Sequence, residues 1–190
     1  GATSFLKKCK QDYVVLSDSD SVYKLDYSEV IKYHEEKNAD ITLVYHEHPV
    51  SKSRYYITFE TDKEGRINEV SINPSTSKVK KNYINVMVAR TSFLLNLIQD
   101  AIQRGTKSFG RDILVPGVNN LRLYGYKLDG YYANIDSLVA YFNANMELLN
   151  KDIRNEVFGN RDVYTKVNDS APAKFTDTAV VKNSLISDGC

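Results

Sequence analysis

Charge of one sign is missing from this chain, with 25 basic residues against 24 acidic ones in 190. No field of one sign is available to gather nucleic acid or an anionic membrane surface, so neither is expected as a partner. Long apolar runs are missing as well. The longest, such as Phe93 to Ile98, is interrupted by Asn96 and falls far short of the ~20 residues a bilayer demands. Cysteine is scarce: Cys9 and Cys190 sit near the two ends without framework spacing, and no charged, apolar, small-residue leader opens the chain. A reducing cytoplasm is the expected setting. Tryptophan is absent while tyrosine occurs 14 times, and most tyrosines at period-two spacing read as half-buried strand positions rather than a sugar platform.

A hydrophobic content of 42% in 190 residues is enough to bury a core. The opening GATSFLKKCK reads as the last turns of a helix and SDGC stops in mid-pattern, so the chain is expected to be a piece of a longer protein.

Tyr13 to Leu16 form a run suited to a strand buried on both faces. Asp26 or Ser28 then caps a predicted helix that carries Val30, Ile31 and Tyr33 on one side and ends near Asn38. ADITLVYH follows about 25 residues after the first strand, the spacing of a crossover that makes two strands parallel. YYITFE and RINEVSI, joined around Asp62 to Gly65, predict an antiparallel hairpin. YINVMVA is another strand, and Thr91 is the expected cap of a helix with the stripe Leu94, Leu97, Ile98 and Ala101, stopped by Gly105. LRLYGYKL leads through Asp136 and Ser137 into the helix LVAYFNANMELL. The class is α/β, a mainly parallel sheet with an antiparallel insertion, and Val14–Leu16, Ile41–Val44 and Val86–Val88 are expected side by side in it.

VVLSDSD places Asp18 and Asp20 where the first strand runs out. In sheets of this class ligands sit beyond the carboxyl ends of strands, and hard oxygens at alternate loop positions suit Mg²⁺ or Mn²⁺ on phosphates. The competing reading is that Ser and Asp simply form turns and caps there. His46 and His48 could share a metal, or be a solvated strand end. Lys78, Lys80 and Lys81 could hold a phosphorylated effector, or form a charged hairpin tip. At the end, Val180–Leu185 and Ile186–Cys190 align as six-residue units, the pattern of a left-handed β-helix.

Four ordered segments carry a family resemblance. SDSDSVYKLDYSEVIKYHEEKNADIT resembles the GDHIYKMDY…ADIT segment of ADP-glucose pyrophosphorylases (glucose-1-phosphate adenylyltransferases), and SFGRDILVP resembles their DFGKDIIP. GYYANIDSLVAYFNANMELLN is similar to GYWRDVGTIEAYWEANMDLL, and the stretch from Val163 onward resembles the linker into their β-helix domain. The resemblance implies a Rossmann-like, GT-A-like nucleotidyltransferase fold: residues 1–157 as the second half of that domain, and 158–190 as linker and first coil of a left-handed β-helix. It also implies roles. The catalytic or metal aspartate falls on Asp20, whereas the second metal aspartate falls on Asn134. The sugar-phosphate lysine falls on Asn73, with Ile72 before it, and Tyr56 stands where glycine borders the sugar site. The glycine-rich nucleotide loop GGxGxRL is not in this chain.

These departures are similar to those of the regulatory, GlgD-type branch of the family. They imply a weakly catalytic or regulatory subunit that pairs with a catalytic subunit in a hetero-oligomer, with ATP, glucose 1-phosphate or ADP-glucose as possible ligands and Mg²⁺ only if nucleotide is bound. A catalytically competent sugar-phosphate nucleotidyltransferase is the alternative. A glycosyltransferase reading of DSD stands behind both, disfavoured by the β-helix pattern.

Overall fold

The computed structural model describes residues 2–47, 55–74, 81–159, 164, 169–182, 184 and 186. In chain order the elements are α1 (Ala2–Lys8), β1 (Tyr13–Ser17), β2 (Ser21–Tyr23), α2 (Tyr27–Glu36), β3 (Ile41–His46), β4 (Ile57–Thr61), β5 (Ile67–Ile72) and β6 (Lys81–Arg90). They continue as α3 (Thr91–Gln103), a π-helical turn (Gly110–Leu114), α4 (Val115–Asn120), β7 (Leu123–Lys127), β8 (Tyr132–Asn134), α5 (Leu138–Glu147) and α6 (Lys151–Phe158). They divide into two compact units, residues 1–19 with 25–129, and residues 20–24 with 130–190. The strand at 21–23 pairs with residues just after 130, which joins the two stretches of the smaller unit.

The larger unit is built on a six-stranded sheet ordered β5-β4-β6-β3-β7, with β1 beside β6. Its class is α/β, but the expected mainly parallel sheet is a mixed one. Four pairings are antiparallel, and only β3 with β7 is parallel. The reason is β6, which runs back from the hairpin and inserts between the two strands of the crossover. Ala89 lies opposite Val14 on one edge and Ile41 on the other. β1 and β3 therefore run in the same direction without touching, and the three expected segments share one sheet in the order β1, β6, β3. A carboxylate pins the parallel pair at its start. Asp40 accepts from the Arg122 backbone N–H at 2.8 Å and from its guanidinium at 2.7 and 3.3 Å, which holds that carboxyl below its usual range even though its partial burial alone pushes it up.

Alternation along the strands makes two apolar faces. Ile41, Leu43, Met87 and Ala89 join Phe59, Ile67 and Leu123 in one cluster, covered by Leu6 of α1, Leu94 of α3 and Leu114. Thr42, Val44, Val86 and Val88 point the other way, and there Val30 and His34 of α2 are buried. Each fully buried aliphatic of this kind contributes roughly 1.5–3 kcal/mol. β1 departs from its expected double burial, with Leu16 42% exposed. An apolar run is buried on both faces only in a sheet interior, and among the described residues β1 is flanked by β6 alone.

Helix ends follow the sequence with one exception. Asp26 caps α2 by accepting from Ser28 N–H at 3.0 Å, and Ser137 caps α5 through Ala140 N–H at 3.1 Å. α2 ends through Asn38 at φ 47, with the N–H groups of Asn38 and Ala39 returning to Glu35 and His34. Gly105 closes α3 in the same way. Thr91 is not the cap: Arg90 holds that place with no side-chain bond, and the Thr91 hydroxyl donates instead to the Gln11 carbonyl at 2.6 Å. Thr91 thus lies one residue inside the helix, and its hydroxyl ties the helix start to the segment before β1 and accepts from no first-turn N–H. The hairpin turn is as expected, with Asp62 accepting from Glu64 and Arg66 N–H at 3.0 and 2.7 Å and Gly65 at φ 87. Among the described residues no helix is long and apolar enough to cross a membrane. Of the tail pattern, residues 183, 185 and 187–190 lie outside the described residues, and the described ones form no strand.

The sequence reading missed His34, which is 1% exposed with Nδ1 2.8 Å from the Thr42 hydroxyl and its ring edge-on to Tyr13. Burial, and secondarily the charge of Arg90, pushes it down to about 4, against the opposing pull of Asp40 and Glu35. The unfolded chain thus binds a proton between pH ~6.5 and ~4 that the folded chain refuses. Stability should be full above pH ~6.5 and fall as pH drops toward 4, by up to roughly 3 kcal/mol at about 1.4 kcal/mol per pH unit. Urea unfolding at pH 7, 5.5 and 4.5 should show this slope, and His34→Asn should flatten it whatever its own stability.

Candidate functional site

The smaller unit contains a ribbon of three residue pairs, β2 against β8, in which Ser21 lies opposite Asn134 and Tyr23 opposite Tyr132. The Ile135 N–H donates to the Asp20 carbonyl at 2.7 Å, extending the ribbon one step. Two residues remote in sequence, Asp20 and Asn134, are thus brought to the same end of one ribbon. Both Oδ1 atoms are buried, and that of Asn134 accepts no hydrogen bond among the described residues. One carboxylate and one amide oxygen suit a hard cation such as Mg²⁺, whose remaining ligands are usually water and substrate phosphate. Such an ion would bring charge to offset phosphate oxygens, and only one protein charge would oppose its own. Among the described residues no group of three or more His, Cys, Asp or Glu side chains could hold a metal.

Asp18 has a different fate. It belongs to the larger unit, where its N–H donates to the Asn85 carbonyl at 3.2 Å, and it lines a cavity of about 590 Å³ at the carboxyl end of β1. Leu16, Met87, Leu94 and Ile98 make the apolar wall, and Asp18, Tyr55, Tyr83, Asn85 and Ser108 supply the polar groups. An apolar wall with a few hydroxyls and an amide suits a hydroxyl-bearing ligand. Among the described residues that line it, none is Lys or Arg, and Asp18 is the one charged group. Burial, with the Asp18 charge adding to it, raises the Tyr83 phenol well above its ordinary value, and Tyr83 remains a neutral donor.

The π-helical turn shapes the cavity mouth. Asp112 accepts from the Lys107 and Ser108 N–H groups, both at 2.9 Å, which lowers its carboxyl pKa and ties the turn to the chain before it. Gly110 lets this backbone approach β4: a Cβ there would lie 2.5 Å from the Tyr55 hydroxyl and 2.7 Å from Ile57 Cδ1. π-Bulges recur at functional sites. Tyr83, Asn85, Ser108 and Gly110 were not singled out from the sequence. One signal was there to read, since Asn85 interrupts the apolar run YINVMVA, and in the structure it is a bulge at φ 58.

Tyr56 and Asn73 are also brought together. Asn73 Oδ1 accepts from Tyr56 N–H at 2.8 Å, Asn73 N–H donates to the Tyr56 carbonyl at 3.0 Å, and the Tyr56 hydroxyl donates to the Pro74 carbonyl at 2.9 Å. Asn73, at φ 45, closes the open end of the β4–β5 ladder with its amide. Lys81 lines a second cleft, of about 540 Å³, where it donates to the Thr61 hydroxyl and lies 5.4 Å from the Tyr45 ring centre. Lys78, Lys80 and His48 lie outside the described residues, and His46 ends β3.

The strand–helix–strand crossover and the hairpin agree with the comparison by sequence: a family model described as nucleotidyl transferase matches residues 2–151. The chain belongs to the nucleotidyl transferase family. It is 33% identical to the glucose-1-phosphate adenylyltransferase of Thermosipho melanesiensis, over 98% of this chain and 46% of the relative. It is 32% identical to that of Thermosipho africanus, with the same coverage, and 27% identical to that of Clostridium acetobutylicum, over 98% of this chain and 50% of the relative. The chain spans about half the length of these curated relatives.

Replacing Asn73 by lysine removes the bond to Tyr56 N–H and puts an ordinary side chain at positive φ. The expected loss is about 2 kcal/mol. For a chain of this size that is a fall of about 2–4 °C in thermal midpoint per kcal/mol, measurable by calorimetry. Asn73→Gly, which keeps the backbone at ease but loses the bond, should cost about half as much.

Proposed function

We propose that this chain is part of a regulatory or weakly catalytic subunit for ADP-glucose synthesis in glycogen metabolism, of the GlgD type, acting in the cytoplasm beside a catalytic glucose-1-phosphate adenylyltransferase subunit in a hetero-oligomer. The observation that carries the reading is the neutral Asn134 oxygen at the end of the ribbon beside Asp20. Transfer of a nucleotidyl group from ATP to glucose 1-phosphate builds negative charge that a metal between two carboxylates offsets. With one carboxylate the metal is held and neutralised less well, and each such electrostatic group typically contributes several kcal/mol to the transition state. Two further observations support it: Asn73 is engaged in closing a hairpin, and no Lys or Arg is among the described residues that line the cavity beside Asp18. The relatives that match along this chain are glucose-1-phosphate adenylyltransferases by name. The tail from 180 onward is read as the opening of a β-helix that makes subunit contacts.

The second reading, a competent sugar-phosphate nucleotidyltransferase, draws on the cavity of about 590 Å³, roomy enough for a hexose phosphate.

In the longer protein, Asn134→Asp should raise turnover of ATP plus glucose 1-phosphate by about 10²-fold, measured by diphosphate release. The unaltered protein, mixed with the catalytic subunit, should shift that enzyme's turnover or effector response by about 5- to 150-fold in affinity terms. Turnover of the unaltered protein alone equal to that of the catalytic subunit, together with plain additivity on mixing, would establish the second reading instead.

A further inference from the structure

The β2–β8 ribbon is too short to fix its own register. With three pairs, a slip of one residue changes which side chains share a face, and Asn134, now opposite Ser21 and one step from Asp20, would face a different residue. Something outside the ribbon must hold it, and α6 grips both strands at the end remote from Asp20 and Asn134. Next to β2, Lys24 Nζ donates to the carbonyl of Gly159, the residue that ends α6. Next to β8, the carboxylate of Glu156, one turn earlier on α6, accepts from the Tyr131 N–H at 2.5 Å. Gly130 sits at φ 95 directly against that carboxylate, where any Cβ would overlap Glu156 Oε1. The Tyr131 hydroxyl adds a tie to α5, donating to Glu147 at 2.7 Å.

We propose that Glu156 and Lys24 are positioning residues: their grip sets the ribbon's register and thereby the placement of Asp20 against Asn134 at the far end. The importance of that placement rests on reading the pair as the remnant of a metal site. The grip itself rests on the bonds alone. The helix that carries Glu156 ends at the same Gly159 carbonyl that holds Lys24, so one short helix makes both ties.

Amide hydrogen exchange on the 190-residue chain tests the grip. The reporter is the Ile135 N–H, bonded to Asp20 and at the opposite end of the ribbon from Glu156. Glu156→Ala should speed its exchange about tenfold while Val44 and Val88 in the large sheet keep their rates. Glu156→Gln, which keeps an acceptor oxygen, should restore it to within about threefold. Lys24→Met should act in the same direction as Glu156→Ala from the other strand. An unchanged Ile135 rate, equal acceleration of all amides, or no rescue by glutamine would overturn the proposal. A second arm separates it from the metal reading. In an Asn134→Asp background, Mn²⁺ binding followed by electron paramagnetic resonance should weaken about tenfold when Glu156→Ala is added. If Asn134→Asp binds no Mn²⁺, the metal reading falls, and the exchange rates still decide the grip.

Discussion

The larger unit depends on one strand serving three partners. β6 pairs through Lys81 and Asn82 with β4, and through Val86 to Arg90 with β1, on one edge, while β3 runs along the other. Between the stretch of β6 that pairs with β4 and the stretch that pairs with β1 lies the bulge at Asn85, which bends the strand and increases its twist, and the register against β3 shifts there, between Val44 and Tyr45. The same bulge turns the Asn85 carbonyl toward Asp18 N–H, so the acid at the end of β1 is positioned by the irregularity that lets the sheet exist. Strand pairing and cavity lining are here a single constraint.

Asparagine has a consistent part in this economy of irregularity. Asn38, Asn73 and Asn85 are the non-glycine residues at positive φ among those described. Asparagine tolerates that backbone better than most residues and brings an amide that can bond locally. Asn73 uses both properties. A lysine at that place, as the family resemblance implies for active enzymes, has neither. The exchange therefore trades charge toward a ligand for closure of a hairpin. Asn134 differs: its backbone is an ordinary strand, and its shape is nearly that of aspartate. Charge separates the two side chains there, and a carboxylate in that buried place beside Asp20 would call for a cation to offset it.

Much of the fold was legible because local chemistry determined it. Asp26 and Ser137 cap the helices that follow them, Asp62 and Gly65 make the expected turn, and the neighbourhood of Asp20 and Asn134 followed from the resemblance alone. What escaped was set by partners distant in sequence. The orientation of β6 depends on which edge is open when the hairpin returns, which apolar patterning does not encode. The Thr91 hydroxyl went to Gln11, and His34, placed in a run of charged residues, was buried because Thr42 offers it a partner across the sheet. The cavity residues Tyr83 and Ser108 carry no individual signal, since their meaning arises only once β6 and the π-helical turn stand on either side of the same space.

The smaller unit is made of two stretches, residues 20–24 and 130 onward. Its ladder pairs Ser21 with Asn134, and the Lys24 bond to Gly159 spans 135 residues of chain. On a ribosome, β2 emerges long before the strand that completes it, and through that interval its backbone donors and acceptors have only water. Closing so long a loop for three residue pairs returns little until the intervening sheet has formed and shortened the effective loop. Loop-closure entropy therefore makes the ribbon a late-forming element on topological grounds.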